Sequence, residues 1–231
     1  MFEKIPSKTR GPEKIQTPEI LKCIESFETL LGNPQLKENI EKAAYSAVVS
    51  DDLSGRIPAL IMSEIMKKVY AEKEENLKTF FIAPLKTNFP TRNQKKIANA
   101  DAAKIKRELG DDERKVLVVT ECICAGYNVE KILNSFDNSN LQADIAALRV
   151  YLHSALDKIA DLLKRYESNI FIGEKGEFLH DAYSLTGLTR ADDAVGMRKR
   201  DPNISPEYVR QVRKDVKLAA DILYNKFFKE S

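Results

Sequence analysis

KVLVVT, at residues Lys115–Thr120, is the clearest strand in the sequence. A continuous apolar run of this kind is typical of a strand that is covered on both faces of a parallel sheet. Four further strands are predicted at Ala44–Ser50, Lys78–Pro84, Asp144–Val150 and Asn169–Gly173. Helices of roughly ten or more residues are predicted between most of them, and this alternation indicates βαβ units. The sequence therefore predicts an α/β fold with a doubly wound, mainly parallel five-stranded sheet.

Helical additions are predicted at both ends of the strand region. Thr17 followed by Pro18 is typical of a helix start, and apolar residues at helical spacing follow. A long amphipathic helix is predicted at the other end. We expect one compact domain with three regions: an N-terminal arm and helices at 1–43, the α/β core at 44–177, and a C-terminal extension at 178–231. The other predicted helices are Gln35–Lys42, Pro58–Glu75, Gln94–Leu109, Val129–Phe136, His153–Tyr166 and Pro206–Lys229.

The composition is that of an ordinary globular protein. Of the 231 residues, 43% are hydrophobic and 31% are charged, which excludes a disordered or low-complexity chain. The formal net charge of +2 gives no global reason to expect nucleic-acid binding. No apolar stretch approaches the roughly 20 residues that a membrane helix needs, and Met1–Gln16 has no signal-peptide core. With only three cysteines, these features lead us to expect a cytoplasmic protein without membrane contact.

Two turns after predicted strands form the candidate ligand site. Asp51–Pro58 follows the first strand, and Thr120–Asn128 (TECICAGYN) follows the strand at Lys115–Thr120. Ligands of open parallel sheets bind beyond the carboxyl ends of the strands. Each turn has a glycine and opens a helix, and helix N-terminal N–H groups attract phosphate. The two turns therefore predict a site for a ligand with two separated phosphate groups.

The segment KVLVVTECICAGYN resembles the phosphoribosyl-diphosphate-binding motif of type I phosphoribosyltransferases. That motif is an apolar strand, two adjacent acids, a short stretch of apolar and small residues, and a loop that cradles the 5′-phosphate. SGR, at Ser54-Gly55-Arg56, is placed like the family's diphosphate-binding loop. The resemblance covers about residues 44–173, in the family's order of elements. It implies phosphoribosyl diphosphate as the phosphorylated ligand, Mg²⁺ as cofactor and, since the family commonly forms dimers, a homodimer.

The resemblance also implies roles for individual residues. Arg56 is expected to stabilise the charge on the leaving diphosphate, and Glu121 to hold the ribose, so these two are the candidate catalytic residues. Glu121 and Asp52 are the candidate Mg²⁺ ligands, because Mg²⁺ favours oxygen; Asp52 also suits a purely structural turn. The candidate ligand-binding residues are Ser54, Gly55, Arg56, Thr120, Cys124, Ala125, Gly126, Tyr127 and Asn128.

Four positions depart from the family pattern. Thr120 stands where the first acid is expected, Ala125 where a hydroxyl residue binds phosphate, Tyr127 where a small residue stands, and Asn128 at the last threonine. Losing one acid weakens the attachment of ribose and Mg²⁺. Two hypotheses therefore stay open: an enzyme that transfers phosphoribosyl to a base, and a catalytically degenerate protein that senses phosphoribosyl diphosphate or a nucleotide.

Several other residues have competing interpretations. Arg210, Arg213, Lys214 and Lys217 share much of one face of the last predicted helix, which supports a third hypothesis of nucleic-acid binding. Asp215 interrupts that face, and aromatic residues are few, so we do not favour it. The region Phe178–Asp201 is a candidate for closing over the site, and the basic run within it is otherwise typical of a solvated segment. Cys122 and Cys124 are expected to be small buried residues, because a metal site needs more ligands than the chain offers near them.

Overall fold

The computed structural model describes residues 14–51, 55–82, 92–123, 127–150, 160–161, 163–175, 188–190, 198–200 and 203–229. Five parallel strands form the main sheet, in the order β2-β1-β3-β4-β5. They are β1 (Tyr45–Asp51), β2 (Lys78–Ile82), β3 (Lys115–Ile123), β4 (Ala143–Val150) and β5 (Ile170–Lys175). All five predicted strands are present, and the predicted α/β fold with a five-stranded parallel sheet is confirmed.

Helices cover both faces of the sheet. They are α1 (Pro18–Leu31), α2 (Pro34–Glu41), α3 (Arg56–Ala71), α4 (Arg92–Leu109), α5 (Tyr127–Asp137), the helical residues 160–161 and 163–166 (α6), and α7 (Pro206–Tyr224). A π-helical turn, Asn225–Lys229, continues α7. One buried cluster joins α1, α2, α3 and α7 to the first face, and a second joins α4 and α5 to the other. This arrangement is the doubly wound, two-sided packing that the apolar strands predict.

The alternation of side chains along β3 shows why the first half of the strand carries a continuous apolar run. Leu117 and Val119 belong to the cluster on the α1 face, whereas Val116 and Val118 belong to the cluster on the α4 face. Because both faces are buried, no position in the middle of the strand is open to water. The central strand is therefore buried on both sides.

The strand order reverses between β1 and β3. From β1 the chain first adds β2 on one side and then returns to place β3, β4 and β5 on the other. Such a reversal opens a crevice at the carboxyl ends of the two strands, and ligands of doubly wound sheets bind there. The fold therefore points to the carboxyl edge between β1 and β3.

Two local predictions differ from the structure. β3 runs to Ile123, three residues beyond the predicted strand, because β4 continues to Val150 and pairs with it along this length. The structure also has two short antiparallel strands that the sequence did not predict, β6 (Leu188–Arg190) and β7 (Arg198–Arg200). Their basic residues hid the strand pattern, since charged residues are uncommon in predicted strands.

A buried carboxylate joins the two terminal helices. Asp215, in α7, is 1% exposed and accepts hydrogen bonds from the Thr17 hydroxyl (2.6 Å) and the Thr17 backbone N–H (2.9 Å). It also accepts from the backbone N–H of Gln16 and from the side chain of Gln211. An acid from α7 thus accepts from the backbone N–H of the N-cap residue, as the carboxylate at the third helical position does in a capping box.

The amino edge of the sheet is held by a second buried acid. Asp144, 1% exposed at the start of β4, accepts hydrogen bonds from the Tyr45 hydroxyl, Lys115 and the backbone of Asn169 at 2.9–3.0 Å. These partners lie on three neighbouring strands or just before them, so one carboxylate fixes their register.

Within the described ranges, no helix is long and apolar enough to span a bilayer.

Candidate functional site

The strand ends and helix starts that flank the two turns singled out in the sequence lie at the reversal of strand order. β1 ends at Asp51 and α3 begins at Arg56, while β3 ends at Ile123 and α5 begins at Tyr127. Since β1 and β3 are hydrogen-bonded neighbours, both turns leave the same crevice at the carboxyl edge. The first turns of α3 and α5 therefore begin at one place, although some 70 residues separate them in the chain.

Part of the predicted site lies outside the described residues. Tyr127 and Asn128 form the first turn of α5, so they belong to the helix rather than to the loop before it. Gly55 is buried and is the N-cap of α3; glycine brings no side chain that could cap the helix. The predicted site residues outside the described part are Asp52, Ser54, Cys124, Ala125 and Gly126.

Among the predicted site residues, Arg56 is the one whose contacts the structure describes most fully. It is half-buried at the start of α3, and its guanidinium carbon lies 4.4 Å from the ring centroid of Phe81 in β2. Burial lowers the pKa of Arg56, and the positive charge of Arg213 lowers it further. An arginine starts from so high a pKa that it stays charged at neutral pH. The aromatic ring therefore holds a permanent cation beside the end of β1.

Glu121 and Thr120 occupy a strand, whereas the sequence interpretation placed them in a turn. Glu121 is 0% exposed and lies on the same face of β3 as Leu117 and Val119, which is the face covered by α1. Thr120, the residue before it, is half-buried, and so is Cys122, the residue after it. The candidate ribose-binding acid is therefore inside the protein, and its neighbour in the chain points the other way.

Cys23 of α1 is one of the residues near Glu121. Burial raises the pKa of the Cys23 thiol to about 12, and the negative charge of nearby Glu121 acts in the same direction. Arg149 of β4 is also close, and its charge opposes that rise. The carboxylate of Glu121 thus lies among α1 and β4 side chains, with an arginine in the same neighbourhood.

A polar cluster beside Glu121 was missed in the sequence. The Ser26 hydroxyl of α1 donates a hydrogen bond to Glu174 (2.9 Å), and Arg149 forms an ion pair with Glu174 (3.3 Å). Gly173 lets the helix come this close, because a Cβ atom there would lie 2.5 Å from the backbone oxygen of Ser26. The cluster fixes α1 over the carboxyl ends of β4 and β5. Only the tertiary structure brings these four residues together, so no sequence pattern could have found them.

Arg213 is a further residue near the site that the sequence placed elsewhere. It was assigned to the basic face of the last helix, and it is indeed exposed on α7 together with Arg210, Lys214 and Lys217. Arg213 also lies near enough to Arg56 for its positive charge to lower the pKa of Arg56. The packing of α7 against α3 creates this proximity.

The described residues do not complete a Mg²⁺ site. Of the two predicted ligands, Glu121 is fully buried and Asp52 lies outside the described residues. In the described part of the chain, no group of three or more histidine, cysteine, aspartate or glutamate side chains is arranged to hold a metal. A buried carboxylate facing α1 does not fit a cation that keeps several water molecules.

Comparisons with known proteins add no relationship to this geometry. No protein-family model matches the chain, and no curated protein matches it.

Proposed function

We propose that this protein binds a ligand carrying phosphate or diphosphate, either phosphoribosyl diphosphate or a nucleotide, at the carboxyl edge between β1 and β3. The observation that carries the proposal is the convergence of the turns after β1 and β3 at the reversal of strand order. This is where doubly wound sheets bind ligands. Arg56, stacked on Phe81 at the start of α3, supplies the positive charge.

The chemistry of the site suits an anion. Guanidinium groups form paired hydrogen bonds with phosphate oxygens, and the start of a helix adds backbone N–H groups and the positive end of its dipole. Arg56 combines both, because it is the first residue of α3. A ring beneath the guanidinium limits its rotation, so less conformational entropy is lost when the anion binds.

Binding without transfer is the form of the proposal that the structure favours. Transfer as the resemblance implies it needs an acid at the ribose, and Glu121 is fully buried against α1. The proposal therefore does not route any step through Glu121 or through Mg²⁺. Phosphoribosyl transfer to a base remains the second candidate, supported by the resemblance of the segment at 115–128 and by the relative positions of the two turns.

Calorimetric titration of phosphoribosyl diphosphate into the protein, with and without Mg²⁺, tests the proposal. We expect saturable binding to the wild type and binding at least about tenfold weaker in Arg56→Gln, since one charged hydrogen-bonding group is lost. Lys67→Gln is the matched control, because Lys67 is an exposed cation on the same helix, paired with Glu64. The absence of binding of both phosphoribosyl diphosphate and nucleotides at millimolar concentration would refute the proposal.

A second measurement separates binding from transfer. The protein is incubated with phosphoribosyl diphosphate, Mg²⁺ and a panel of nucleobases, and released diphosphate is measured. Binding without release supports a sensing role. Release that depends on an added base, and that is lost in a folded Glu121→Gln variant, would instead support transfer with a role for Glu121.

A further inference from the structure

The last helix runs beside α3 in the same direction. Asp221 of α7 forms an ion pair with Lys68 of α3 at 2.7 Å, and the Tyr224 hydroxyl donates a hydrogen bond to Glu72 just after α3. Arg213 lies further towards the start of α7, as Arg56 lies at the start of α3. Arg213 precedes Asp221 by eight residues, about two turns, and Arg56 precedes Lys68 by twelve, so both arginines lie on the same side of that ion pair, towards the carboxyl edge of the sheet.

Arg56 and Arg213 have different surroundings. Arg56 is half-buried and stacked on Phe81, whereas Arg213 is exposed. Among the described residues, none forms an ion pair with Arg213. The nearest acid in its own helix, Asp215, is buried and accepts hydrogen bonds from Thr17 instead.

Two guanidinium groups held close together repel each other. The repulsion is larger than between exposed groups, because Arg56 is partly removed from water and screening is weaker there. The packing of α7 on α3 nevertheless places Arg213 within electrostatic reach of Arg56. Two neighbouring guanidinium groups match an anion with several negative oxygens, because each can bind one pair of them.

We propose that Arg213 is a second ligand-binding residue of this site, and that Arg56 and Arg213 together bind a diphosphate group between α3 and α7. The inference rests on the proposed function and deepens it by naming the diphosphate group as the part of the ligand that is recognised. It also assigns the terminal helix α7 to the site. Both phosphoribosyl diphosphate and nucleoside diphosphates carry the required group.

The test compares Arg213→Gln with Lys217→Gln. Both changes remove one exposed cation from α7, but Lys217 lies one turn further from the start of the helix. Each variant and the wild type are titrated with inorganic diphosphate, phosphoribosyl diphosphate and ADP. We expect Arg213→Gln to weaken binding of the preferred ligand and of diphosphate at least about tenfold, and Lys217→Gln to leave both within about twofold.

Thermal unfolding without ligand provides a readout that separates ligand binding from a structural role. Removing one of two repelling charges is expected to leave the melting temperature of Arg213→Gln unchanged or higher. A lower melting temperature together with unchanged affinity would show that Arg213 only supports the packing of α7, and would overturn the inference.

The remaining outcomes distinguish the two proposals. If the wild type binds and Arg213→Gln binds equally well, the inference is wrong and the proposed function stands. If the wild type binds ADP but not phosphoribosyl diphosphate, the ligand is a nucleotide, and the Arg213→Gln result still decides the inference. If the wild type binds none of the three, both proposals are wrong.

Discussion

Replacing Gly173 with alanine tests how closely α1 is seated on the sheet. A Cβ atom at this position would lie 2.5 Å from the backbone oxygen of Ser26 and 2.7 Å from that of Leu148. Ordinary van der Waals contact begins at 3.4 Å, so α1 and β5 must separate by roughly 0.9 Å. Neither oxygen belongs to a flexible side chain, and the strain therefore cannot be relieved locally.

The expected cost is at the upper end of the range for overpacking, about 3 kcal/mol. For a chain of this length that corresponds to a fall in melting temperature of roughly 6–12 °C. Urea unfolding of Gly173→Ala measures the loss of free energy directly. Gly110→Ala is the control, because Gly110 has φ +64° and no atom lies within 4 Å of the position that a Cβ atom would take there. Its cost is backbone strain alone, about 1–2 kcal/mol.

Labelling of Cys23 distinguishes displacement of α1 from general destabilisation. Cys23 is 1% exposed on α1, so its thiol is protected in the wild type. We expect Gly173→Ala to speed its reaction with a thiol reagent, read by mass spectrometry, and Gly110→Ala to leave it slow. Equal stability losses in the two variants, with Cys23 equally protected, would refute the proposed seating of α1 on Gly173.

Three further predictions concern α7, the buried thiol and the arginine stack. Asp215→Asn is expected to lower the free energy of unfolding by about 1–3 kcal/mol, because the buried donors that contact Asp215 lose a charged acceptor. The control Asp221→Asn removes one partner of a partly exposed ion pair and is expected to change that free energy by less than about 1 kcal/mol. Equal effects of the two changes in urea unfolding would contradict this prediction. The folded-state pKa of Cys23 is about 12 against 9.0 for an unperturbed thiol, so the unfolded state ionises first and stability falls as pH rises from about 9 towards 12. When unfolding is measured across that pH range, the stability of Cys23→Ala should decline less steeply than that of the wild type. An unchanged slope would contradict the raised pKa of Cys23. Phe81→Leu removes the ring beneath Arg56 and is expected to weaken diphosphate binding about two- to fivefold in calorimetry, in line with an exposed cation–π contact; unaltered affinity would show that the ring does not position the cation.

The sheet could be predicted because its strands carry their own signal. The apolar run at Lys115–Thr120 is buried on both faces and looks so in the sequence. The further extension to Ile123 could not be predicted, because Glu121 is polar and a polar residue after an apolar run indicates a strand end. Glu121 lies near Cys23 and Arg149, which come from other parts of the chain.

The candidate site could be proposed from the sequence only where it depends on local order. The turns after β1 and β3 follow from strand positions and glycines, and the topology brings them to one crevice. The neighbourhood of Arg56 and Arg213 could not be foreseen, because it depends on how α7 packs on α3. Sequence spacing showed only that Arg213 shares a helix face with other basic residues. A helix face by itself does not reveal which other element lies beside it.

The hydrogen bonds from Thr17 to Asp215 have a consequence for folding during synthesis. The two residues are 198 positions apart, and a ribosome adding about 5–20 residues per second makes the second roughly 10–40 s after the first. Throughout that interval the start of α1 lacks its acceptor, and the apolar surface that α7 covers is open to other contacts. The nascent chain therefore carries an incomplete core until its last helix emerges, and this is the period in which we expect it to depend most on chaperones.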